Sequence, residues 1–170
     1  MPRYLSIAIV SVILAGGAAA AAMSGAPPVV QSDQASRYWG QWRGPDGTGV
    51  APSANPPVEW DETRNIRWKL AIPGRGSASP VIWGDRVFVL SAVSATGQTR
   101  AGVPHKYVVM AIDRASGKVV WERVAKEEAP HEATHNENGT YASASAVTDG
   151  TLVFANFESR GLYAYDMSGT

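Results

Sequence analysis

Two stretches of this chain say nearly the same thing, and that redundancy limits the fold more than any other feature. Residues 78–93 read ASPVIWGDRVFVLSAV and residues 144–159 read ASAVTDGTLVFANFES. Laid together, Ser79 meets Ser145, Val81 meets Val147, Gly84 meets Gly150, Val87 meets Val153 and Phe88 meets Phe154. A second phrase follows each copy: YVVMAIDRASGKVVW at 107–121 and LYAYDMSGT at 162–170, where Ala111 meets Ala164, Asp113 meets Asp166 and Gly117 meets Gly169. Repetition on this scale builds equivalent units that stack, because one unit alone cannot cover its own apolar surface.

The units are made of strands. YVVMAI (107–112) and VFVL (87–90) do not alternate apolar with polar residues. Short β-branched runs that are apolar on both faces and bounded by turns belong to strands covered on both sides. DRASGK then has turn chemistry: the Asp113 carboxylate can accept backbone N–H bonds two residues on, and Gly117 can take a positive φ. Asn65 to Ile72 predicts a further strand, with Ile66, Trp68 and Leu70 alternating against polar or small residues. Trp68 and Trp121 end strand-like runs in matching context, fifty-three positions apart. The first copy carries a long loop, Ser91 to Lys106, where the second has only ESRG. Without that loop the unit falls near the roughly 40–50 residues of one four-stranded propeller blade. The predicted fold is therefore all-β: a partial β-propeller of about two four-stranded antiparallel blades over residues 65–170, with Trp121 suited to the seam between blades. Aligning Gly169 on Gly117 makes the sequence stop inside a hairpin. Because a ring takes about 4–8 blades, the expectation is the amino-terminal part of a larger propeller, with strand edges and an apolar blade face uncovered.

Three segments precede the repeats. Residues 1–22 have Arg3, an apolar run from Leu5 to Leu14 and then small residues ending Ala20-Ala21-Ala22. That is the plan of a secretory signal peptide, with an uncleaved membrane anchor as the alternative. Residues 23–37 are small, polar and Pro-containing, a flexible linker. Residues 38–64, with YWGQWRGPDGTGV and the Pro56-Pro57 pair, form an irregular lead-in that packs on the first blade. Lys plus Arg and Asp plus Glu balance at 15 each, so the chain lacks the basic footprint of a nucleic-acid binder. Cysteine is absent, which removes disulfides, thiolate metal sites, a thiol nucleophile and a lipid-modified amino-terminal cysteine.

AIDRASGKVVWE, preceded by SPVIWGDRVFV, resembles the repeat of PQQ-binding-like β-propeller proteins, the quinoprotein alcohol dehydrogenase-like superfamily. The family phrase is carried by Ala111-Ile112-Asp113, Ser116-Gly117-Lys118 and Trp121, and again by Ala164-Tyr165-Asp166 and Ser168-Gly169. WGQWRGPDGTGV and YASASAVTDG with SRGLYAYD also look like a bacterial exported subgroup. The resemblance implies a module outside the cytoplasm, periplasmic or extracellular. There it would bind a protein or small-molecule ligand at a propeller face, touching a membrane only through an uncleaved amino-terminal segment. It also implies an alternative, a quinoprotein dehydrogenase of alcohols or sugars with PQQ and calcium in the channel. That chemistry needs Glu, Asn and Asp side chains converging on the ion, and membership of the repeat family does not supply them. The exported, non-catalytic binding or scaffolding module is the preferred reading, since a propeller fold does not fix a function.

No residue is assigned a catalytic role, and no cofactor-binding residue is named. The polar stretch EEAPHEATHNENGTYAS contains His131 and His135, four apart; with Glu132 or Glu137 they could ligate a metal at a channel mouth. Pro130 before them and Asn136, Asn138 and Gly139 after favour a solvated loop between blades. Arg160 is expected on a hairpin tip. Trp39, Trp42 and Trp60 could form a carbohydrate platform, but packing on the first blade is preferred. PGRGSASP (73–80) reads as the bend between blades, and with no G-x-S-x-G elbow a hydrolase has no support.

Overall fold

A computed structural model describes residues 35–135 and 139–170, all of them inside one compact unit, Gln31–Thr170. The predicted signal segment and most of the predicted linker lie outside the described residues. Seven strands follow in order: β1 (Val81–Trp83), β2 (Arg86–Ser94), β3 (His105–Asp113), β4 (Val119–Glu128), β5 (Val147–Thr148), β6 (Leu152–Asn156) and β7 (Leu162–Asp166). They form two antiparallel meanders, β1-β2-β3-β4 and β5-β6-β7. Two single 3-10 turns, Ala35–Arg37 and Glu158–Arg160, are the helical elements among the described residues. No helix there is long and apolar enough to cross a membrane.

The repeat read from the sequence is a repeat in space. Val81 pairs with Phe88 and Phe88 with Ala111 in the first sheet; their counterparts Val147, Phe154 and Ala164 pair the same way in the second. Phe88, Leu90 and Ala92 of β2 share a face with Tyr107, Val109 and Ala111 of β3, and this face packs with Val153, Ala155 and Phe157 of the second sheet. Val108, Met110 and Ile112, on the opposite face of β3, are buried as well. This is the two-sided covering that the non-alternating run requires. The entries to the two sheets also touch: Ser79 N–H donates to Ser145 Oγ at 2.9 Å, and Ser77 and Ala78 donate to the Ala142 carbonyl.

Two expectations need correction. The long loop is shorter than predicted, because β2 continues to Ser94 and β3 starts at His105, with Ser91, Ala92, Val93 and Ser94 pairing with Val108, Tyr107, Lys106 and His105. The small residues there fit the ladder, and Ala92 stays in the core. The second sheet has three described strands, as expected of a sequence that stops inside its last hairpin. Residues 65–72 form no strand and pair with none among the described residues, and they are mostly exposed. Their alternation is right for a strand, yet a strand exists only as a member of a ladder.

What those residues do instead is dock a tryptophan. Trp68 Nε1 donates to the Arg114 carbonyl at 2.9 Å, 46 residues downstream; Trp121 Nε1 donates to the Met167 carbonyl at 3.0 Å, again 46 downstream. Each indole lies against the glycine of the turn it reaches. A Cβ on Gly117 would stand 2.5 Å from the Trp68 ring, and one on Gly169 2.7 Å from the Trp121 ring. Both glycines also have left-handed φ, +72° and +86°. Gly84 has φ +56°, but a Cβ there would meet nothing within 4 Å. Gly84→Ala therefore introduces backbone strain alone, whereas Gly117→Ala adds expulsion of the Trp68 ring. We expect Gly117→Ala to destabilise by more than ~1 kcal/mol beyond Gly84→Ala in urea melts; equal losses would show that the docking contributes nothing.

Aspartates close the turns. Asp113 accepts from Ser116 N–H and Oγ (2.8 and 2.6 Å), Asp166 from Ser168 N–H and Oγ (2.8 and 2.7 Å), and Asp149 from Thr151 and Leu152 N–H (2.8 and 3.0 Å). These bonds favour the ionised carboxylate. The Ser116 hydroxyl leads in holding Asp113 below the usual range, the Ser168 hydroxyl does so for Asp166, and the Leu152 N–H for Asp149. A carboxyl depressed in the folded state contributes stability above its unfolded pKa of ~3.9. That contribution disappears as pH falls through the folded-state value. The unfolding temperature should accordingly fall as pH drops below about 4, and Asp166→Asn should lessen that fall relative to its own value at pH 7.

Candidate functional site

An antiparallel meander reverses at every turn, so its loops sort to two ends. The β2–β3 loop, the β4–β5 connection and the β6–β7 turn share one end; the β1–β2, β3–β4 and β5–β6 turns share the other. His131, Glu132, His135 and Arg160 all belong to the first end.

Arg160 does sit on the β6–β7 turn, but its side chain is not at a tip in solvent: it is fully buried. The turn folds back on itself through Arg160 N–H to the Phe157 carbonyl (3.1 Å) and Phe157 N–H to the Gly161 carbonyl (2.9 Å), which aims the side chain inward. The guanidinium lies over two aromatic rings, Tyr107 at 5.5 Å and Tyr141 at 5.0 Å, and its Nη2 donates to Glu132 Oε1. Ser159 Oγ donates to the same oxygen at 3.1 Å, Tyr141 Oη donates to the Glu132 carbonyl at 2.9 Å, and Tyr163 Oη donates to the Arg160 carbonyl at 2.8 Å. His105 stacks edge-on against Tyr141 at 5.0 Å and holds its Nδ1 2.7 Å from the Val103 carbonyl. One cation thus ties together β3, the β4–β5 connection and the β6–β7 turn.

The electrostatics suit a clamp. Desolvation opposes the Glu132 charge, but its own backbone N–H and the Arg160 and Ser159 donors prevail and hold its carboxyl below the usual range. Burial pushes the Tyr107 and Tyr141 phenols up, so both stay neutral at physiological pH. Such a cluster fixes loops, because one buried cation is shared by a carboxylate and two rings from separate segments.

The candidate histidines lie on the β4–β5 connection. His131 Nδ1 stands 3.2 Å from Glu132 Oε2 on the exposed side of the clamp, and His135 lies further along the same connection. Glu137 lies outside the described residues, and the described ones gather no three His, Asp or Glu that could hold an ion. Of the predicted tryptophans, Trp39 packs over Gly44, whereas Trp42 and Trp60 are exposed. Arg43 lies over the Trp42 ring at 5.4 Å.

The lead-in reaches both sheets through its main chain. Ile82 N–H donates to the Trp39 carbonyl at 2.7 Å, and Thr148 N–H to the Gly40 carbonyl at 2.8 Å. Two successive peptide units therefore bridge the free edges of β1 and β5, the first strands of both sheets. Gly40 permits the approach, since a Cβ would stand 2.7 Å from the Thr148 carbonyl oxygen. The loop beyond is braced internally: Gln41 Nε2 donates to the Gly44 and Pro45 carbonyls, Gly49 N–H donates to the Arg43 carbonyl, and Arg43 sits at φ +63°. Beside it a cavity of about 620 Å³ opens between Tyr38, Trp39, Asp46, Ile82 and Arg114.

A four-stranded and a three-stranded antiparallel meander in repeat register, with an indole docked on the glycine turn of the next unit, make a partial β-propeller. The family model described as outer membrane protein assembly factor BamB matches residues 48–170, and the chain belongs to this PQQ-repeat family. No curated protein and no solved structure matches it.

Sequence reasoning missed the Arg160–Glu132–Tyr107–Tyr141 cluster and the Trp39–Gly40 bridge. The tryptophan docking left a readable trace, since each repeat pairs a Trp with a turn Gly one unit later. The arginine cluster left none, because its members sit up to 53 residues apart in unlike contexts.

Proposed function

We propose that the chain is an exported, non-catalytic propeller module that binds or scaffolds a partner outside the cytoplasm. The observation that carries this reading is the Trp39–Gly40 bridge across the first strands of both sheets. Propeller blades surround a central channel, and a lead-in whose main chain ties the first strands of both sheets together supports a structural role for that side of the sheets. Calcium takes 6–8 oxygen ligands, and the described residues assemble no acidic group of three; the residues present do not fit PQQ with calcium. The family's description as an assembly factor of the outer membrane supports a scaffold, and the signal-like residues 1–22 support export. Titration with PQQ and calcium, followed by tryptophan quenching and alcohol-dependent dye reduction, tests the non-catalytic reading. We expect no saturable quenching and no turnover; saturable binding with alcohol oxidation would establish the quinoprotein alternative instead. Fractionation of cells expressing the full chain tests export, with cytoplasmic retention counting against it.

A further inference from the structure

Two Asp-Gly pairs lie among the described residues, Asp46-Gly47 and Asp149-Gly150, and the fold treats them differently. In such a pair the glycine nitrogen can approach the aspartate carboxyl carbon, because the glycine has no Cβ to obstruct it. Asp149 is held away from that approach. Its Oδ1 accepts from Thr151 N–H at 2.8 Å and Leu152 N–H at 3.0 Å, while Gly150 N–H donates to Thr148 Oγ1 at 3.1 Å. Gly150 is also packed tightly, since a Cβ there would collide with the Trp83 indole nitrogen. Asp46 is exposed, and its carboxylate has no hydrogen-bond or ion-pair partner among the described residues. A Cβ on Gly47 would meet nothing within 4 Å, which leaves room for a new ring. One bond opposes its formation: Gly47 N–H donates to the Gly44 carbonyl at 3.1 Å and closes an exposed turn.

We propose that Asp46-Gly47 is a site of spontaneous aspartate isomerisation in the folded protein, and that Asp149-Gly150 is shielded from it. The Gly47 nitrogen attacks the Asp46 carboxyl carbon. A C–N bond forms, a C–O bond breaks, and the amide proton leaves with the carboxyl hydroxyl as water. The cyclic imide then takes water back at either carbonyl. Attack at the Asp46 main-chain carbonyl breaks its bond to the Gly47 nitrogen and leaves an isoaspartyl link, with the chain running through the former side chain. Nothing is oxidised or reduced, and water is the sole co-reactant. The neutral acid is the electrophile, so the Leu152 and Thr151 N–H donors that hold the Asp149 carboxyl below the usual range also disfavour the reaction there. The isoaspartyl link lengthens the main chain between Arg43 and Gly49. The Gly49 N–H bond to the Arg43 carbonyl, which spans it, then loses its register. The carboxylate also moves on the wall of the cavity beside Tyr38, Trp39 and Arg114.

The test ages the full chain at neutral pH, once folded and once in urea. Chymotryptic cleavage after Trp42 and Tyr141 puts Asp46 and Asp149 on peptides separate from Asn138-Gly139, whose asparagine lies outside the described residues. A protein-isoaspartate methyltransferase with a labelled methyl donor then counts isoaspartate in each peptide. Folded protein should accumulate label at Asp46 about tenfold faster than at Asp149, the ratio that a barrier difference the size of one hydrogen bond gives. In urea the two rates should converge. Equal rates in the folded chain, or no label at Asp46, would overturn the proposal. A ratio that persists in urea would do so too, because the selection would then come from neighbouring residues in sequence and not from the fold. Asp46→Asn supplies an independent readout: the same imide forms with loss of ammonia, and its hydrolysis changes the mass. A folded Asp46→Asn chain that keeps its mass on ageing would count against the site.

Discussion

Trp121→Ala lowers the unfolding free energy by about 3–5 kcal/mol and the midpoint by roughly 10 °C or more. The size follows from where the indole stands. It is 6% exposed, sits between Phe88 of the first sheet and Tyr165 of the second at 5.9 Å from each ring, and lies over Gly169. Its N–H holds the Met167 carbonyl at 3.0 Å, and Arg123, stacked on its face at 5.8 Å, donates to the Gly169 carbonyl at 2.7 Å. Truncation therefore opens a cavity at the seam and releases the Asp166–Thr170 turn together. Trp121→Phe separates the two contributions: most of the ring remains, and the loss should fall to about 1–2 kcal/mol for one hydrogen bond and some packing. Trp42→Ala, at an exposed ring, should change stability by no more than about 0.5 kcal/mol. Urea melts of the three variants give the order directly, and an Ala variant no worse than the Phe variant would mean that seam packing is not what holds the sheets together.

That seam shows how far the sequence can be read. The equivalence of Val81, Phe88 and Ala111 with Val147, Phe154 and Ala164 was legible because repeats encode register: identical roles demand similar residues at fixed spacing. Burial of both faces of β3 was legible because YVVMAI has no polar face to give to water. The strand over 65–72 was misread because alternation reports which side chains could face a core; pairing needs a neighbour that local sequence does not contain. The loop at 91–106 was overestimated for the converse reason: Ser91 and Ser94 look like loop residues, but a neighbouring strand in register recruits them into the ladder. The site was less legible than the fold. Arg160 in ESRG reads as a solvated tip, and its burial depends on Tyr107, Tyr141 and Glu132, which come from other segments and leave no mark in the local sequence.

That burial sets the second large effect. Arg160→Met should destabilise by on the order of 2–4 kcal/mol. Removing one partner of a fully buried pair costs about 3–5, and the partial exposure of Glu132 discounts that figure through solvent screening. Arg160→Lys should recover little, because a lysine lacks the planar group that covers two tyrosine rings while donating sideways to a carboxylate. The pH dependence separates a charge clamp from simple packing. Glu132 is held below its usual range in the folded chain, so it adds stability above its unfolded pKa and loses it as pH falls through the folded value. In Arg160→Met that contribution shrinks, and the difference in stability between wild type and variant should narrow on acidification. A double-mutant cycle with Glu132→Gln gives the coupling itself. Were the coupling near zero and the difference between wild type and variant flat with pH, the turn would be held by the Tyr163 hydroxyl on the Arg160 carbonyl and by ring packing. The guanidinium would then be space-filling rather than an electrostatic tie between the sheets.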